Sequence, residues 1–260
     1  MEGFNSKNTE RLDKCLGIII IIILVSIFIC LWEILVKVKQ IPVYLLPSPS
    51  IVIRTLFSNI KMYSKATLVT SIEAATGLGI GVITGIALAS LLDLAPRLER
   101  SVLAVAIFIK STPLVAIAPL LTIWLGFGMV PKIIMTALLS FFPTLINVLS
   151  GFKSVKEPLL DTFRSWDASR FEIFFHLRLP FAVPYLFAAL KVSAPLSFTG
   201  AVIAEWTGSS AGLGRVLWLS YSNLNLPFLF ATVIILAIIG ISIYSFLILI
   251  EKRVVFWNNY

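Results

Sequence analysis

Charged residues are scarce in this chain, which has 260 residues and only 13% Asp, Glu, Lys and Arg. Soluble domains carry about a quarter charged residues, so the composition excludes an ordinary soluble protein. Histidine occurs once, at His176, which excludes a site built from several histidines of one chain. Cys15 and Cys30 lie at the start and the end of one apolar run, and they indicate neither a disulfide framework nor a metal site.

Motifs for nucleotide hydrolysis and acid–base chemistry are also missing. The chain has no Gly-x-x-x-x-Gly-Lys-Ser/Thr phosphate loop, no cluster of histidine with carboxylates and no nucleophile elbow. We therefore expect that the chain is not an enzyme and that it holds no metal or cofactor of its own. The net charge of +8 fits basic loops and helix ends that meet anionic lipid headgroups better than it fits nucleic acid.

Hydrophobic residues make up 58% of the chain, and they gather in long runs. Several runs approach or exceed the roughly 20 apolar residues needed to cross a bilayer. The sequence therefore predicts an all-α, polytopic membrane protein with about six transmembrane helices. A single domain covers residues 1–260, with its core transmembrane part at 66–250. The predicted spans are Leu16–Val36, Ala66–Leu92, Ser101–Trp124, Lys132–Phe152, Val183–Trp206 and Phe228–Ile250.

The distribution of Lys and Arg predicts which way the spans face. With residues 1–15 in the cytoplasm, the cytoplasmic parts hold more Lys and Arg than the outer parts, although the first outer loop is also basic. Six spans then leave both termini in the cytoplasm. The outer connections are predicted to hold a short amphipathic helix at Ser50–Asn59 and a loop at Thr207–Pro227.

Glycines and prolines mark the spans in two ways. Gly77, Gly81 and Gly85 share one helical stripe, which predicts close packing of the second span rather than a ligand site. Prolines are predicted to interrupt the third to fifth spans, and free backbone is tolerated there only beside protein or a water-filled cavity. We expect these spans to line a pathway, although each proline taken singly also fits a static kink. The prolines are Pro113, Pro119, Pro143, Pro184 and Pro195.

Three ionisable residues stand inside apolar runs, at Glu73, Lys110 and Glu205. A charge in mid-membrane costs about 2.5–3.5 kcal/mol, so each should face a pore or a partner charge. Lys110 is predicted to line the pathway and attract an anionic substrate; an ion pair with Glu73 is the alternative. Glu205 is predicted either near the outer surface, facing a partner, or as a cap at a helix end. The pathway residues that follow Lys110 are Ser111, Thr112 and Pro113.

A charged and aromatic segment interrupts the apolar runs at residues 153–180. Acidic and basic residues alternate there at near-helical spacing, which favours helix. One interpretation is an amphipathic helix lying on the membrane. The other is a helix that docks into a groove of a cytoplasmic partner. The chemistry of the segment alone leaves both open.

The segment resembles the cytoplasmic "EAA" coupling loop of ATP-binding-cassette importer permeases. Asp161-Thr162-Phe163 stands where Glu-Ala-Ala is usual, and Asp167 stands where a glycine is usual. Glycine would permit a left-handed turn, which aspartate tolerates less well, but we expect the loop to keep its shape. The resemblance implies contact with an ATPase subunit through Asp161, Arg164, Asp167, Ala168, Ser169, Arg170, Leu179 and Pro180.

Further motifs extend the resemblance over most of the chain, to permeases of the sulfonate, nitrate and taurine group. They are Leu46-Pro47-Ser48-Pro49, Ser111–Leu120, Trp124–Gly128, Ala204-Glu205-Trp206 and Gly212-Leu213-Gly214. Three other motifs resemble a branch that imports thiamine-precursor pyrimidines or riboflavin. They are Pro131-Lys132, Phe141-Phe142-Pro143 and Trp257.

The resemblance implies an importer in the bacterial inner membrane. It would contain two copies of this chain, two cytoplasmic ATP-binding subunits that hold ATP and magnesium, and an extracytoplasmic solute-binding protein. Two alternatives remain. A secondary transporter driven by an ion gradient would use inverted repeats and midplane ion ligands, and the sequence shows no clear repeat. A non-transporting membrane scaffold would have no need of broken helices around a pathway.

Overall fold

Helix is the only regular secondary structure within the part of the chain described by the computed structural model. The model describes the backbone of residues 2–256 and the side chains of residues 16, 17 and 19–256, so Trp257 lies outside the described residues. The prediction of an all-α protein is confirmed. The α-helices are α1 (Glu2–Val38), α2 (Pro49–Ser58), α3 (Ile60–Leu94), α4 (Pro96–Ser111), α5 (Leu114–Leu125), α6 (Val130–Lys153), α7 (Glu157–Ser165), α8 (Arg170–Ile173), α9 (Leu179–Trp206), α10 (Leu213–Ser222) and α11 (Leu226–Val254), with a π-helical turn at Phe174–Arg178 between α8 and α9.

Five helical segments are long and apolar enough to cross a membrane, and a sixth span arises if α4 and α5 count as one bent span. The prediction of about six spans is confirmed. The five are Ile19–Val38, Ile60–Leu94, Val130–Lys153, Arg170–Trp206 and Leu226–Val254.

Proline sets the start of several helices. A proline in the first turn loses no intrahelical hydrogen bond, because the first N–H groups of a helix have no partner, and its fixed φ suits the helix. The prolines in first turns are Pro49, Pro96, Pro131, Pro158 and Pro180. Because α4 begins at Pro96 and α3 ends at Leu94, only Ala95 separates these two helices.

The third predicted span bends sharply. The axes of α4 and α5 differ by 88° across the break at Ser111–Pro113. Pro113 disfavours helical backbone at the residue before it, and Thr112 accordingly lies in the extended region with φ −71° and ψ 132°. This proline breaks its helix as predicted.

The other four prolines do not interrupt their helices, so that prediction was wrong for them. Pro119 lies inside α5, Pro143 inside α6, and Pro184 and Pro195 inside α9. Each proline removes one backbone donor, but the turns on either side remain helical. In a membrane bundle the neighbouring helices compensate for the lost bond, which local sequence preference does not include.

The chain divides into two compact units, residues 1–60 with 220–231 and residues 61–219 with 232–260. In the first unit, the Glu33 carboxylate of α1 accepts hydrogen bonds from the Ser50 N–H and hydroxyl of α2, at 3.0 and 2.8 Å. The rings of Trp32 and Phe230 lie 5.5 Å apart by their centroids. The predicted amphipathic helix at Ser50–Asn59 is present as α2.

In the second unit, α3 packs against α6 through its glycine stripe. A Cβ at Gly81 would lie 2.8 Å from Ser140 Cβ, and one at Gly85 would lie 2.9 Å from Thr144 Cβ. A methyl at Gly77 would collide with the Thr136 hydroxyl. The contact positions rise together along both helices, so α3 and α6 run parallel. The prediction of close packing at this stripe is confirmed.

Helix α9 packs antiparallel to α6. Gly151 near the end of α6 lies against Ala182 at the start of α9, and Gly200 near the end of α9 lies against Leu139. Between these two points the Ser193 hydroxyl donates to the Ser140 carbonyl at 3.2 Å. Helices α3, α6 and α9 therefore share one core, which small residues and hydroxyls keep close-packed.

Candidate coupling loop and buried charge cluster

The charged segment, residues 153–180, folds as two short helices joined by a left-handed turn. Helix α7 ends at Ser165, and Asp167 adopts a φ of 53°. Ser169 and Glu172 then form a reciprocal capping box at the start of α8, with bonds of 2.7 and 3.3 Å. The loop keeps the expected shape, with aspartate in the left-handed position where the resemblance places glycine.

A small core holds this loop together. Val155, Leu160 and Leu177 are buried against one another, and Phe163 and Ile173 pack around them. Helix α7 therefore buries one face and leaves its charged face exposed. The loop is therefore folded around its own small core and is not an extended segment.

Two ion pairs tie the loop to the membrane helices. The Arg178 guanidinium bonds the Asp93 carboxylate at the end of α3, and Asp93 is almost fully buried in this pair. Lys153 at the end of α6 bonds Glu99 in the first turns of α4. Since the π-helical turn continues directly into α9, a displacement of the loop acts on α3 and α9 together.

Aromatic and charged side chains cover the exposed face of the loop. Trp166 is 70% exposed and Phe171 is 64% exposed. Arg164 donates to Asp161 at 2.9 Å along α7. Large exposed aromatic rings beside charges are typical of surfaces that bind a protein partner.

The predicted loop residues occupy two different places. Most of them lie on the exposed face, Ala168 is half-buried, and Leu179 packs against the core of the second unit. Pro180 is exposed in the first turn of α9. The exposed ones are Asp161, Arg164, Asp167, Ser169 and Arg170.

A cluster of buried charges lies at the opposite end of the second unit. The Lys132 ammonium donates to Glu73 Oε1 and to the Ser209 hydroxyl, each at 2.7 Å. The Glu73 side chain is fully buried and that of Lys132 is 10% exposed. Buried charges need a paired and hydrogen-bonded partner, which Lys132 supplies to Glu73 Oε1, whereas Glu73 Oε2 is buried without a hydrogen-bond partner among the described residues.

Glu205 anchors the start of α10 beside this cluster. Its carboxylate accepts a hydrogen bond from the Thr70 hydroxyl at 2.7 Å and another from the Gly214 N–H. The Leu213 N–H donates to the Thr70 hydroxyl at 2.8 Å. The Glu205 carboxyl therefore caps the N-terminus of α10 by accepting from one of its first N–H groups.

The prediction of a loop at Thr207–Pro227 was wrong for the middle of that segment, which is helical, and this capping explains why. Gly212-Leu213-Gly214 is a typical turn sequence, but α10 occupies Leu213–Ser222. The acceptors for its first N–H groups come from Thr70 and Glu205, which are distant in sequence. Tertiary contacts thus supply a helix start that local sequence does not contain.

The predicted pathway residues separate into an exposed and a buried set. Lys110, Ser111 and Pro113 are exposed at the bend between α4 and α5, and Thr112 is half-buried. The alternative in which Lys110 pairs with Glu73 is wrong, because Glu73 pairs with Lys132. Glu205 is fully buried rather than exposed near the outer surface, and the helix that it caps is α10 and not its own.

Sequence reasoning missed three members of the buried cluster, namely Lys132, Thr70 and Ser209. The position of Glu73 along α3 shows where its lysine partner should lie. Glu73 lies in the first half of α3, and α3 and α6 run parallel, so a partner is expected near the start of α6, where Lys132 stands. The hydroxyls carry no such signal, since most serines and threonines in these helices bond their own backbone.

Comparison with known proteins decides the family. The family model for the binding-protein-dependent transport system inner membrane component matches residues 77–256. This chain belongs to that family. Its members are membrane-spanning permease subunits, so the chain is a transport subunit and not an enzyme, as predicted.

Curated relatives match nearly the whole chain. A probable ABC transporter permease of Haemophilus influenzae is 30% identical over 223 residues, covering 86% of this chain and 91% of the relative. The formylaminopyrimidine transport permease ThiX of Halalkalibacterium halodurans is 30% identical over 230 residues, covering 88% and 92%. The riboflavin transport permease RibX of Chloroflexus aurantiacus is 28% identical over 255 residues, covering 97% and 94%.

A solved structure shares the fold of this permease. The inward-facing MetNI methionine ABC transporter matches with a TM-score of 0.60 at 17% identity, covering 77% of this chain and 97% of the matched chain. At that identity the likeness concerns the fold alone. The resemblance to ATP-binding-cassette permeases predicted from the sequence motifs is confirmed by the family match and the curated relatives.

Proposed function

We propose that two copies of this permease form the membrane channel of an ATP-driven importer. Two cytoplasmic subunits carry ATP and magnesium, and an extracytoplasmic binding protein delivers a small solute. The solute is a sulfonate, nitrate, taurine, thiamine-precursor pyrimidine or riboflavin-like molecule. Relatives named for formylaminopyrimidine, riboflavin, aliphatic sulfonates and taurine support this range. The chain itself binds no cofactor.

The anchored loop is the observation that carries the proposal. It presents Trp166 and Phe171 to a partner, and its Arg178–Asp93 ion pair and its continuity with α9 connect that face to the bundle. A partner that binds one state of the loop better than another shifts the whole permease between states. An ATPase that closes on ATP binding supplies such a partner. A secondary transporter or a scaffold has no use for this connection.

The orientation follows from the same loop. An ATPase that uses cellular ATP contacts the cytoplasmic face, which places residues 153–180 and both termini in the cytoplasm of a bacterial inner-membrane protein. The excess of Lys and Arg on that side supports this placement. The charge cluster around Glu73 then lies toward the outer face.

The exposed bend at Lys110–Pro113 is the proposed contact with solute. It interrupts a span, it is exposed in the single chain, and it carries one cation and two hydroxyls. In the homodimer this bend would face the pathway between the two copies. A lysine there would attract an anionic solute such as a sulfonate.

Co-purification from the native membrane tests the proposal. Affinity-tagged full-length permease should capture a chain with a phosphate-binding loop, identified by mass spectrometry. Trp166→Ala should weaken that capture by roughly 30-fold, as expected for an aromatic hot spot. Phe127→Ala is the matched control, because Phe127 is 74% exposed in the turn before α6, at the opposite end of the unit. It should retain the ATPase.

Transport supplies the second readout. Proteoliposomes with the complete complex should take up solute only with ATP and binding protein present. Uptake by the permease alone, without nucleotide or companion chains, would contradict the proposal and favour a secondary transporter. Equal capture of the ATPase by the Trp166 and Phe127 variants would contradict the assignment of the docking face.

A further inference from the structure

A cavity of about 950 Å³ lies between the charged loop and the connection from α3 to α4. Four arginines line it, together with a single acidic residue, Asp93. The arginines are Arg97, Arg164, Arg170 and Arg178. The lining therefore carries a clear excess of positive charge.

The hydrogen-bonding capacity of these arginines is only partly used. Arg178 is paired with Asp93, yet its Nε is buried without a partner. Arg164 uses one guanidinium nitrogen, Nη1, to bond Asp161 at 2.9 Å and Glu157 at 3.5 Å. Among the described residues, Arg97 and Arg170 have no hydrogen-bonding or ion-pair partner. Two guanidinium groups thus face a cavity with their charge unneutralised.

The N-terminus of α4 adds to the attraction for an anion. Its N-cap residue is Ala95, which has no side chain able to accept a hydrogen bond from the first turn. Pro96 has no N–H and the Leu98 N–H donates to the Ala95 carbonyl at 3.0 Å, so the turn offers the cavity the backbone N–H and the guanidinium of Arg97. Helix N-termini favour phosphate groups, and the arginine fork fits two phosphate oxygens.

Apolar side chains at the rim indicate where the phosphate comes from. Leu94 is 36% exposed and Leu98 is 51% exposed, and both line the cavity. They stand at the ends of α3 and α4, where two candidate spans meet the boundary of the bilayer. Free phosphate gains nothing from apolar contacts, whereas the first acyl carbons of a phospholipid do.

We propose that this cavity binds the phosphate of an anionic phospholipid headgroup from the membrane leaflet beside the loop. Arg97 and Arg170 donate to the phosphate oxygens, and Leu94 and Leu98 contact the start of the acyl chains. Basic pockets between transmembrane helices bind such headgroups in general. The site goes beyond the proposed transport function, because its occupant is a membrane component rather than the solute or the ATPase.

Native mass spectrometry of the full-length permease tests the site without any ATPase present. The protein is released from micelles that contain phosphatidylglycerol and phosphatidylcholine in equal amounts. Wild type should retain phosphatidylglycerol preferentially. Arg97→Gln/Arg170→Gln should bind it roughly 30-fold more weakly, from about 1 kcal/mol per arginine. Arg100→Gln is the matched control, since Arg100 is exposed in α4 and does not line the cavity.

Four results would overturn the proposal. Equal retention of the two lipids would exclude an anionic site. Equal losses in the Arg100 control and the double variant would indicate general surface charge. Displacement of the lipid by millimolar inorganic phosphate would assign the cavity to a soluble phosphate. Full displacement of the lipid by the purified ATPase subunit would assign the cavity to the protein interface. Lipid binding is measured apart from transport, so either proposal can fail alone.

Discussion

The buried pair of Lys132 and Glu73 offers the sharpest test of the fold. The lysine ammonium lies 2.7 Å from Glu73 Oε1, and the glutamate side chain is fully buried. Lys132→Met keeps the length of the side chain and removes its charge. The change leaves the Glu73 carboxyl buried with no cation among its described partners, and it removes the donor of the hydrogen bond to the Ser209 hydroxyl.

Breaking a buried ion pair from one side costs about 3–5 kcal/mol, because the remaining charge is left uncompensated. We expect this loss for Lys132→Met and a similar one for Glu73→Gln. Replacing both partners removes both charges, and such replacements are often neutral. The double variant should therefore recover most of the loss, so the two changes are strongly non-additive.

Reversible unfolding in mixed micelles of increasing SDS content, followed by tryptophan fluorescence, measures these free energies. Lys110→Met is the matched control, because Lys110 is an exposed lysine in an apolar helix, and it should change stability by less than about 0.5 kcal/mol. Strict additivity of the two changes would refute the pairing. A loss for Lys110→Met as large as that for Lys132→Met would refute the assignment of the partner.

Three further outcomes test other parts of the molecule. Gly81→Ala should destabilise by about 1–3 kcal/mol, since its Cβ would lie 2.8 Å from Ser140 Cβ, whereas Gly79→Ala meets nothing within 4 Å and should be neutral or stabilising. Asp167→Gly should slow hydrogen exchange in the loop and Asp167→Val should speed it, because φ 53° costs a branched residue about 1–2 kcal/mol. Lys110→Ala should reduce ATP-driven uptake in proteoliposomes while the ATPase still co-purifies. Equal stabilities of the Gly81 and Gly79 variants would contradict the packing argument. Equal hydrogen-exchange rates in the two Asp167 variants would contradict the argument from φ. Full uptake by the Lys110 variant would contradict its role in the pathway.

Hydropathy and small-residue spacing were enough to predict most of the architecture. Long apolar runs must cross the bilayer as helices, because backbone groups in lipid have no other partners. The glycine stripe of α3 likewise predicted close helix packing, because a helix face without side chains lets a neighbouring helix approach closely. Both features depend on a single helix and the lipid or helix around it, so they can be predicted from the sequence of that helix alone.

Features that depend on two distant segments could not be predicted in the same way. Lys110 was the only lysine considered from the sequence as a partner of Glu73, and the parallel course of α3 and α6 is what selects Lys132 instead. The start of α10 depends on acceptors from Thr70 and Glu205, so the local sequence resembles a loop. Four of five prolines left their helices continuous, because packing of the surrounding helices outweighs one lost backbone donor.

Ion pairs hold α3 at two levels, at Glu73 in its first half and at Asp93 close to its end. Glu73 and Asp93 are about 20 residues apart, which is about 30 Å along a helix and matches the hydrocarbon thickness of a bilayer. Between them, the glycine stripe leaves no space for α3 to slide against α6 without a steric collision. A force applied to the loop at Arg178 therefore moves α3 and α6 as one body. The bend at Lys110–Pro113, which has neither a continuous helix nor such packing, is where that movement is expected to change the shape of the pathway.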